Sequence, residues 1–267
     1  MTITDSRIDG GKAFDWGRTS EDYARYRDIY PDEFYQKIAA RGLCTEGQKV
    51  LDIGTGTGVL PRHMYRFGAE WTGTDISPEQ IAAAQRLSEE AGLPIQYLAL
   101  PTEKLDFPPG SFDVITACQC FWYFDHEKVM PLLHRFLKPC GKLAILYMAW
   151  LPYEDAIAGA SEAIVLRYSP QWSGAGETRK PIAIPAAAYS YFDLEYHEEY
   201  DVSVPFTRES WHGRMKACRG VGASLSGDAL TAWEREHWAM LEAHAPEQFD
   251  VKHYAAMAVL KAKGLPR

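Results

Sequence analysis

The sequence predicts an α/β fold with a doubly wound, mostly parallel sheet, on three observations. Short apolar, strand-like runs alternate with amphipathic helical runs through the first half of the chain, the pattern of parallel strands covered by helices. A glycine-rich turn, Gly54-Thr55-Gly56-Thr57-Gly58, leaves the first of these runs and leads into a helical pattern. An acid, Asp75, closes the second run 21 residues after Gly54.

Taken in order, Pro31 opens a helix through Gly42, with Phe34, Ile38 and Ala39 on one face. Lys49 to Ile53 is the first strand, and a helix follows the turn from Val59 to Phe67. Glu70 to Asp75 is the second strand. Ser77 then caps a helix that reaches Ala91, with Pro78 at its first position, where a missing N–H costs nothing. Ile95 to Leu100 and Phe112 to Cys118 are the third and fourth strands. A helix over Glu127 to Leu137 precedes a fifth strand, Lys142 to Met148. Residues 151 to 189 mix small residues with Pro152, Pro170, Pro181 and Pro185 and suit a cap or lid. Phe192 to Val204 alternates as a sixth strand, helices occupy Arg208 to Cys218 and Gly227 to Ala243, and Val251 to Lys261 is the seventh strand. The expected organisation is an N-terminal lid or helix (1–45), a binding core (46–150), a cap with substrate-recognition insertions and strand six (151–250), and a last strand with the C-terminus (251–267).

The 267 residues carry a formal net charge of −8, which argues against a nucleic-acid backbone as the main partner. The stretch from Met1 to Gly17 lacks the apolar run of a signal peptide, and no segment reaches the length of a membrane span. Five scattered cysteines suit a reducing compartment, so a cytoplasmic location is expected, with no membrane or nucleic-acid partner and a monomer or homodimer. Cys118 and Cys120 have no second ligand pair at zinc spacing and read as strand filler; no metal is expected.

Spacing separates the cofactor classes that use a glycine turn. A dinucleotide fold wants glycine where Val59 stands, and a phosphate-binding P-loop wants a lysine that is absent. What remains is an acid, Asp52, two residues ahead of G-x-G-x-G.

That pattern resembles the first motif of the Rossmann-like S-adenosylmethionine-dependent methyltransferases. The resemblance extends over roughly residues 46 to 148. Asp75 takes the place of the acid that receives ribose hydroxyls, with Ile76 after it. Thr102-Glu103-Lys104-Leu105-Asp106-Phe107 and Ser111-Phe112-Asp113-Val114-Ile115 resemble the adenine-side loop and fourth strand. Leu137-Lys138-Pro139-Cys140-Gly141 resembles the turn into the fifth. Pro101 stands where the family often has an acid, and Cys140 replaces the first glycine of the usual turn. The resemblance implies S-adenosyl-L-methionine as cofactor, held by Asp52, Gly54, Thr55, Gly56, Gly58, Asp75, Ile76, Thr102, Glu103 and Gln119.

Tyr23-Ala24-Arg25-Tyr26-Arg27-Asp28-Ile29-Tyr30-Pro31 and Gln119-Cys120-Phe121-Trp122-Tyr123-Phe124-Asp125 resemble segments of the trans-aconitate methyltransferase-like branch, with Trp122 in place of a frequent histidine. By that resemblance Tyr23 and Arg27 close over the methionine end of the cofactor, Arg27 pairing with its carboxylate; the alternative is an amphipathic helix packed on the sheet. Trp122, Tyr123 and His126 follow the fourth strand, where an aromatic wall excludes water and His126 is placed as a general base or as a solvated helix-terminal side chain. Arg208, His212, Arg214, Lys216 and Arg219 crowd one stretch of an acidic chain. Trp211 and Arg214 on a shared face would read a carboxylate or phosphate on the acceptor; the alternative is a solvated charged face. The expected reaction is methyl transfer to a small-molecule acceptor, possible bearers of a carboxylate included. A sensor or assembly subunit that binds the cofactor without transferring its methyl is the other reading.

Overall fold

The computed structural model describes residues 3–264. Seven strands form one sheet: β1 (Lys49–Ile53), β2 (Glu70–Asp75), β3 (Gln96–Ala99), β4 (Phe112–Cys118), β5 (Leu137–Trp150), β6 (Phe192–Thr207) and β7 (Gln248–Ala262). Their order is β3-β2-β1-β4-β5-β7-β6. The pairs β2/β3, β1/β2, β1/β4 and β4/β5 are parallel. The chain steps outward from β1 through β2 to β3, then returns to lay β4 on the other side of β1. That reversal makes a crevice at the carboxyl end of β1, where open parallel sheets bind ligands.

The helices are α1 (Ser20–Tyr26), α2 (Asp32–Ala40), α3 (Val59–Met64), α4 (Pro78–Glu90), α5 (His126–Phe136), α6 (Ala156–Tyr168), α7 (Arg208–Lys216) and α8 (Gly227–His244). Ser77 caps α4 as expected, its hydroxyl accepting from the Gln80 amide, with Pro78 at the first helical position.

Two departures from expectation have local causes. Leu137 to Gly141 is a turn in the sequence reading, but β5 already begins at Leu137. Between the pairs Phe112↔Leu137 and Val114↔Lys142, four residues of β5 stand opposite the single residue Asp113. The turn is therefore a wide bulge inside the strand, with Cys140 in the left-handed region (φ 62°). The second departure is α6, in a stretch read only as cap or lid. Asp155 starts it, accepting from the Ile157 and Ala158 amides.

The chain divides into two compact units. One comprises the residues through Tyr30 together with 149–179 and 201–254; the other comprises 31–148, 180–200 and the residues from Ala255 on. The core of the second unit gathers Leu51, Ile53, Ile115, Val129, Leu133, Phe136, Leu143 and Ile145, all at or near zero exposure. Burying each such side chain contributes roughly 1.5–3 kcal/mol, which fixes β1 and β4 under the glycine turn. In the first unit Trp150, Phe206 and Trp211 pack edge to face, with centroids 5.6 Å (Trp150–Trp211) and 4.9 Å (Phe206–Trp211) apart.

Candidate active site

The glycine turn takes up the conformation its residues allow. Gly54, Gly56 and Gly58 all have positive φ (64°, 57° and 72°), a region costly for any side chain. The Thr55 amide donates to the Thr74 carbonyl (2.9 Å), which anchors the turn to β2. Space explains Gly54 as well as dihedral: a β-carbon there would fall 2.7 Å from Cys120 Sγ. Cys120 Sγ itself donates to the Ile53 carbonyl at 3.0 Å.

Asp75 ties this turn to α4. Its Oδ2 accepts from the Gly56 amide and its Oδ1 from the Ser77 amide, both at 2.9 Å. Each oxygen keeps a further lone pair. Burial raises its pKa, and the Ser77, Gly56 and Ile76 amides oppose that rise.

Asp52 lies fully buried in β1. Parallel register sets it against Thr116, whose hydroxyl donates to Asp52 Oδ1 at 2.6 Å. Burial pushes its pKa up to about 7, the Thr116 and Thr55 hydroxyls opposing and the Asp75 charge adding to the rise. A buried acid left so close to neutrality is well suited to a cationic neighbour. Thr57 and Thr74 are also buried, and neither hydroxyl has a hydrogen-bond partner. The polar groups around the turn, two acids and the Thr57 and Thr74 hydroxyls, fit the amino-acid and sugar ends of a sulfonium nucleoside.

Other expected residues flank this centre. Ile76 follows Asp75, half-buried. Thr102 is buried and Glu103 half-buried in a 3-10 turn; Glu103 Oε1 accepts from the Asp125 amide at 3.4 Å, ahead of α5. Gln119 has a left-handed backbone (φ 63°), its amide bonded to the Leu146 carbonyl at 2.9 Å and its side chain to the Met148 carbonyl. Trp122 is 43% exposed. Its ring meets Tyr147 edge to face at 5.0 Å and lies 5.9 Å from Tyr123. His126 opens α5, and its Nε2 donates to the Phe121 carbonyl at 2.9 Å. Only Nδ1 of that ring is then left to take a proton.

Tyr23, Arg27, Trp211 and Arg214 belong to the first unit. Tyr23 and Arg27 lie in and just after α1, with Arg27 Nη2 donating to Tyr23 Oη at 3.1 Å. Trp211 is fully buried and donates through Nε1 to Ser161 Oγ at 2.9 Å. It is a core side chain of this unit, a correction to its expected place on an acceptor-binding face. Arg214 is also buried, so the solvated-face alternative fails there too. No group of three or more metal-ligating side chains occurs among the described residues.

Residues 51–145 match the methyltransferase domain. This segment is similar to methyltransferase domains. Demethylmenaquinone methyltransferase of Thermus thermophilus is 38% identical over 102 residues, 37% of this chain and 46% of that protein. The ubiquinone biosynthesis O-methyltransferase of Pseudomonas aeruginosa is 32% identical over 57% of this chain and 66% of its own length. The chain therefore spans less than two thirds of either relative. Among solved structures, YcgJ of Bacillus subtilis shares the fold at a TM-score of 0.52 and 18% identity, over 88% of this chain and 100% of that one. The [4+2]-cyclase SpnF does so at 0.53 and 18%, over 87% and 82%. One fold thus accompanies different chemistries, and the methyltransferase domain must be read from its own side chains.

Cys120 is the site residue that sequence reasoning missed. Its signal was present as Cys118-x-Cys120, but only the packing shows that the second cysteine fills the space left by Gly54.

Proposed function

We propose that the chain transfers a methyl group from S-adenosyl-L-methionine to a small-molecule acceptor in the cytoplasm. One observation carries this reading: a turn with three left-handed glycines at the carboxyl end of β1, held to the next strand's terminal acid through the Gly56 amide and Asp75. Asp52 and the Thr55 and Thr57 hydroxyls face the amino-acid half of the cofactor, Asp75 and Ile76 its ribose, and Thr102 and Glu103 its adenine. Gln119 closes the methionine end. When bound, the cofactor supplies an electrophilic methyl on a sulfonium.

The protein's contribution is orientation and exclusion of water. Trp122 and Tyr123, with ring centroids 5.9 Å apart, supply an aromatic wall after β4, and His126 follows at the start of α5. The names of both relatives are those of enzymes acting on small molecules, which supports the same acceptor class here. All five cysteines are free, in keeping with a reducing compartment. Among the described residues, no helix is long and apolar enough to cross a membrane.

Calorimetric titration of the full chain with S-adenosylmethionine and S-adenosylhomocysteine tests the proposal. Binding of both, weakened by Asp75→Asn, is the expected result. Absence of heat with either ligand would end it.

A further inference from the structure

A cavity of about 180 Å³ lies within the first unit, and every residue that lines it belongs to that unit. Trp172 and Pro170 give its apolar lining. Trp172 is buried, and two glycines make room for its ring. A β-carbon at Gly220 would fall 2.6 Å from Trp172 Cγ, and one at Gly174 would fall 2.7 Å from its Nε1. Pro170 and Gln171 are exposed, so the cavity meets solvent along that edge. Roughly 150 Å³ is enough for one benzene ring. The space here suits a single ring with a small substituent.

The polar lining sets the sign of the charge such a ligand carries. Asp9 is already answered. Its Oδ2 accepts from Arg219 Nε at 2.6 Å and its Oδ1 from Arg219 Nη2 at 2.9 Å, while the Ser173 amide and hydroxyl reach Oδ1 at 2.7 and 2.9 Å. Lys12 is not. Its Nζ donates to Ser169 Oγ at 3.3 Å, and no carboxylate pairs with it among the described residues. The Ser169 hydroxyl spends its own proton on the Gly220 carbonyl at 2.6 Å, so toward Lys12 it can only accept. An ammonium has three N–H donors, which leaves two for a ligand. Ser224 adds a second donor: its Oγ is buried, lines the same cavity and has no hydrogen-bond partner. A buried hydroxyl left unpaired is costly, and an acceptor group entering the cavity would relieve it.

We propose that this cavity is a binding site for a small, single-ring organic anion, with Lys12 and Ser224 donating to the anionic group and Trp172 flanking the ring. One net positive charge, one unengaged hydroxyl and an aromatic wall are a complementary set for that ligand and for no cation. The floor is fixed in advance, because Asp9, Arg219, Ser173 and Ser169 hold one another whether or not a ligand is present. None of the lining residues falls within 51–145. The site goes beyond the methyl-transfer reading and stands without it.

The test is calorimetric titration of the full chain with benzoate and with its neutral counterpart benzamide. Benzoate binds, and benzamide binds at least about tenfold more weakly. Lys12→Met keeps the stem and removes the charge, and it lowers benzoate affinity by about tenfold without moving benzamide. Lys12→Arg retains the affinity. Ser224→Ala lowers it by about threefold. Melting temperatures of the three variants match the natural chain, since none removes a partner from the floor. Benzoate also changes the tryptophan emission, and Trp172→Phe abolishes that change while keeping a ring in the wall. Equal binding of benzoate and benzamide, benzoate affinity unmoved in Lys12→Met, or an emission change that persists in Trp172→Phe overturns the proposal. So does competition between benzoate and S-adenosylhomocysteine, which would place the anion in the cofactor's own site. Failure of S-adenosylhomocysteine to bind counts against methyl transfer and leaves the benzoate titration readable by itself.

Discussion

Cys120 Sγ stands where a side chain on Gly54 would begin: the absent β-carbon would lie 2.7 Å from the sulfur and 2.8 Å from Cys120 Cβ. Two costs therefore meet in Gly54→Ala. The left-handed φ costs roughly 1–2 kcal/mol, and the collision displaces either the turn or the segment after β4. The variant is expected to bind S-adenosylhomocysteine at least about tenfold more weakly. Adding Cys120→Gly removes the collision but not the dihedral cost, so it recovers part of the affinity. Titration of both variants checks this; an unimpaired Gly54→Ala would show that the turn lies away from the cofactor.

Asp75→Asn probes the clamp between the turn and α4. The carboxylate accepts two backbone N–H bonds through separate oxygens. An amide replaces one acceptor with an NH2 aimed at a donor and removes the charge. A loss of about 1–3 kcal/mol is expected, read as a fall of about 5- to 150-fold in cofactor affinity by calorimetry. Unchanged binding would return Asp75 to a purely local role.

Stability should depend on pH through Asp52. Its folded-state pKa, pushed up to about 7 mainly by burial, stands above the ordinary 3.8. The folded chain therefore holds a proton that the unfolded chain releases, and stability falls as pH rises from about 4 to about 7. Asn at this position stays neutral and still accepts from Thr116. Asp52→Asn should match the natural chain in stability near pH 4 and exceed it at pH 8, by an amount on the order of a few kcal/mol. Urea unfolding at the two pH values decides; a variant weaker at pH 8 would place the raised pKa in doubt.

The strands were legible because burial and period speak locally. The expected limits of β1, β2 and β4 are those observed, since each is a short apolar run stopped by a turn or an acid. Helix α6 escaped because Ala156, Ala158, Gly159, Ala160 and Ser161 form no distinct apolar stripe, while the prolines around them read as irregular chain. Within the site, the glycine turn and Asp75 could be read from spacing. Cys120 under Gly54 could not, being a contact between residues 66 positions apart. Nor could the two units, each assembled from separated stretches of chain. Charge clustering near 214 was visible, but whether each cation had found a partner was not.

That difference in partnership predicts opposite responses from two buried arginines. Arg219 Nε and Nη2 donate to the two oxygens of Asp9 at 2.6 and 2.9 Å, and Nη2 also reaches Ser173 Oγ at 2.9 Å. Asp9 in turn accepts from the Ser173 amide at 2.7 Å. Both members of the pair are under a tenth exposed. Arg219→Ala strands the Asp9 charge and should cost about 3–5 kcal/mol, whereas Asp9→Asn with Arg219→Met removes both charges and should recover most of the loss. Arg214 has no carboxylate partner among the described residues: its Nη1 donates to Cys218 Sγ at 3.2 Å and its Nε has no hydrogen-bond partner. Arg214→Met removes that unpaired charge and should not destabilise the chain. Denaturant unfolding of the three variants separates the cases. Were Arg219→Ala neutral, or Arg214→Met as damaging as Arg219→Ala, the contrast between a paired and an unpaired guanidinium would not hold.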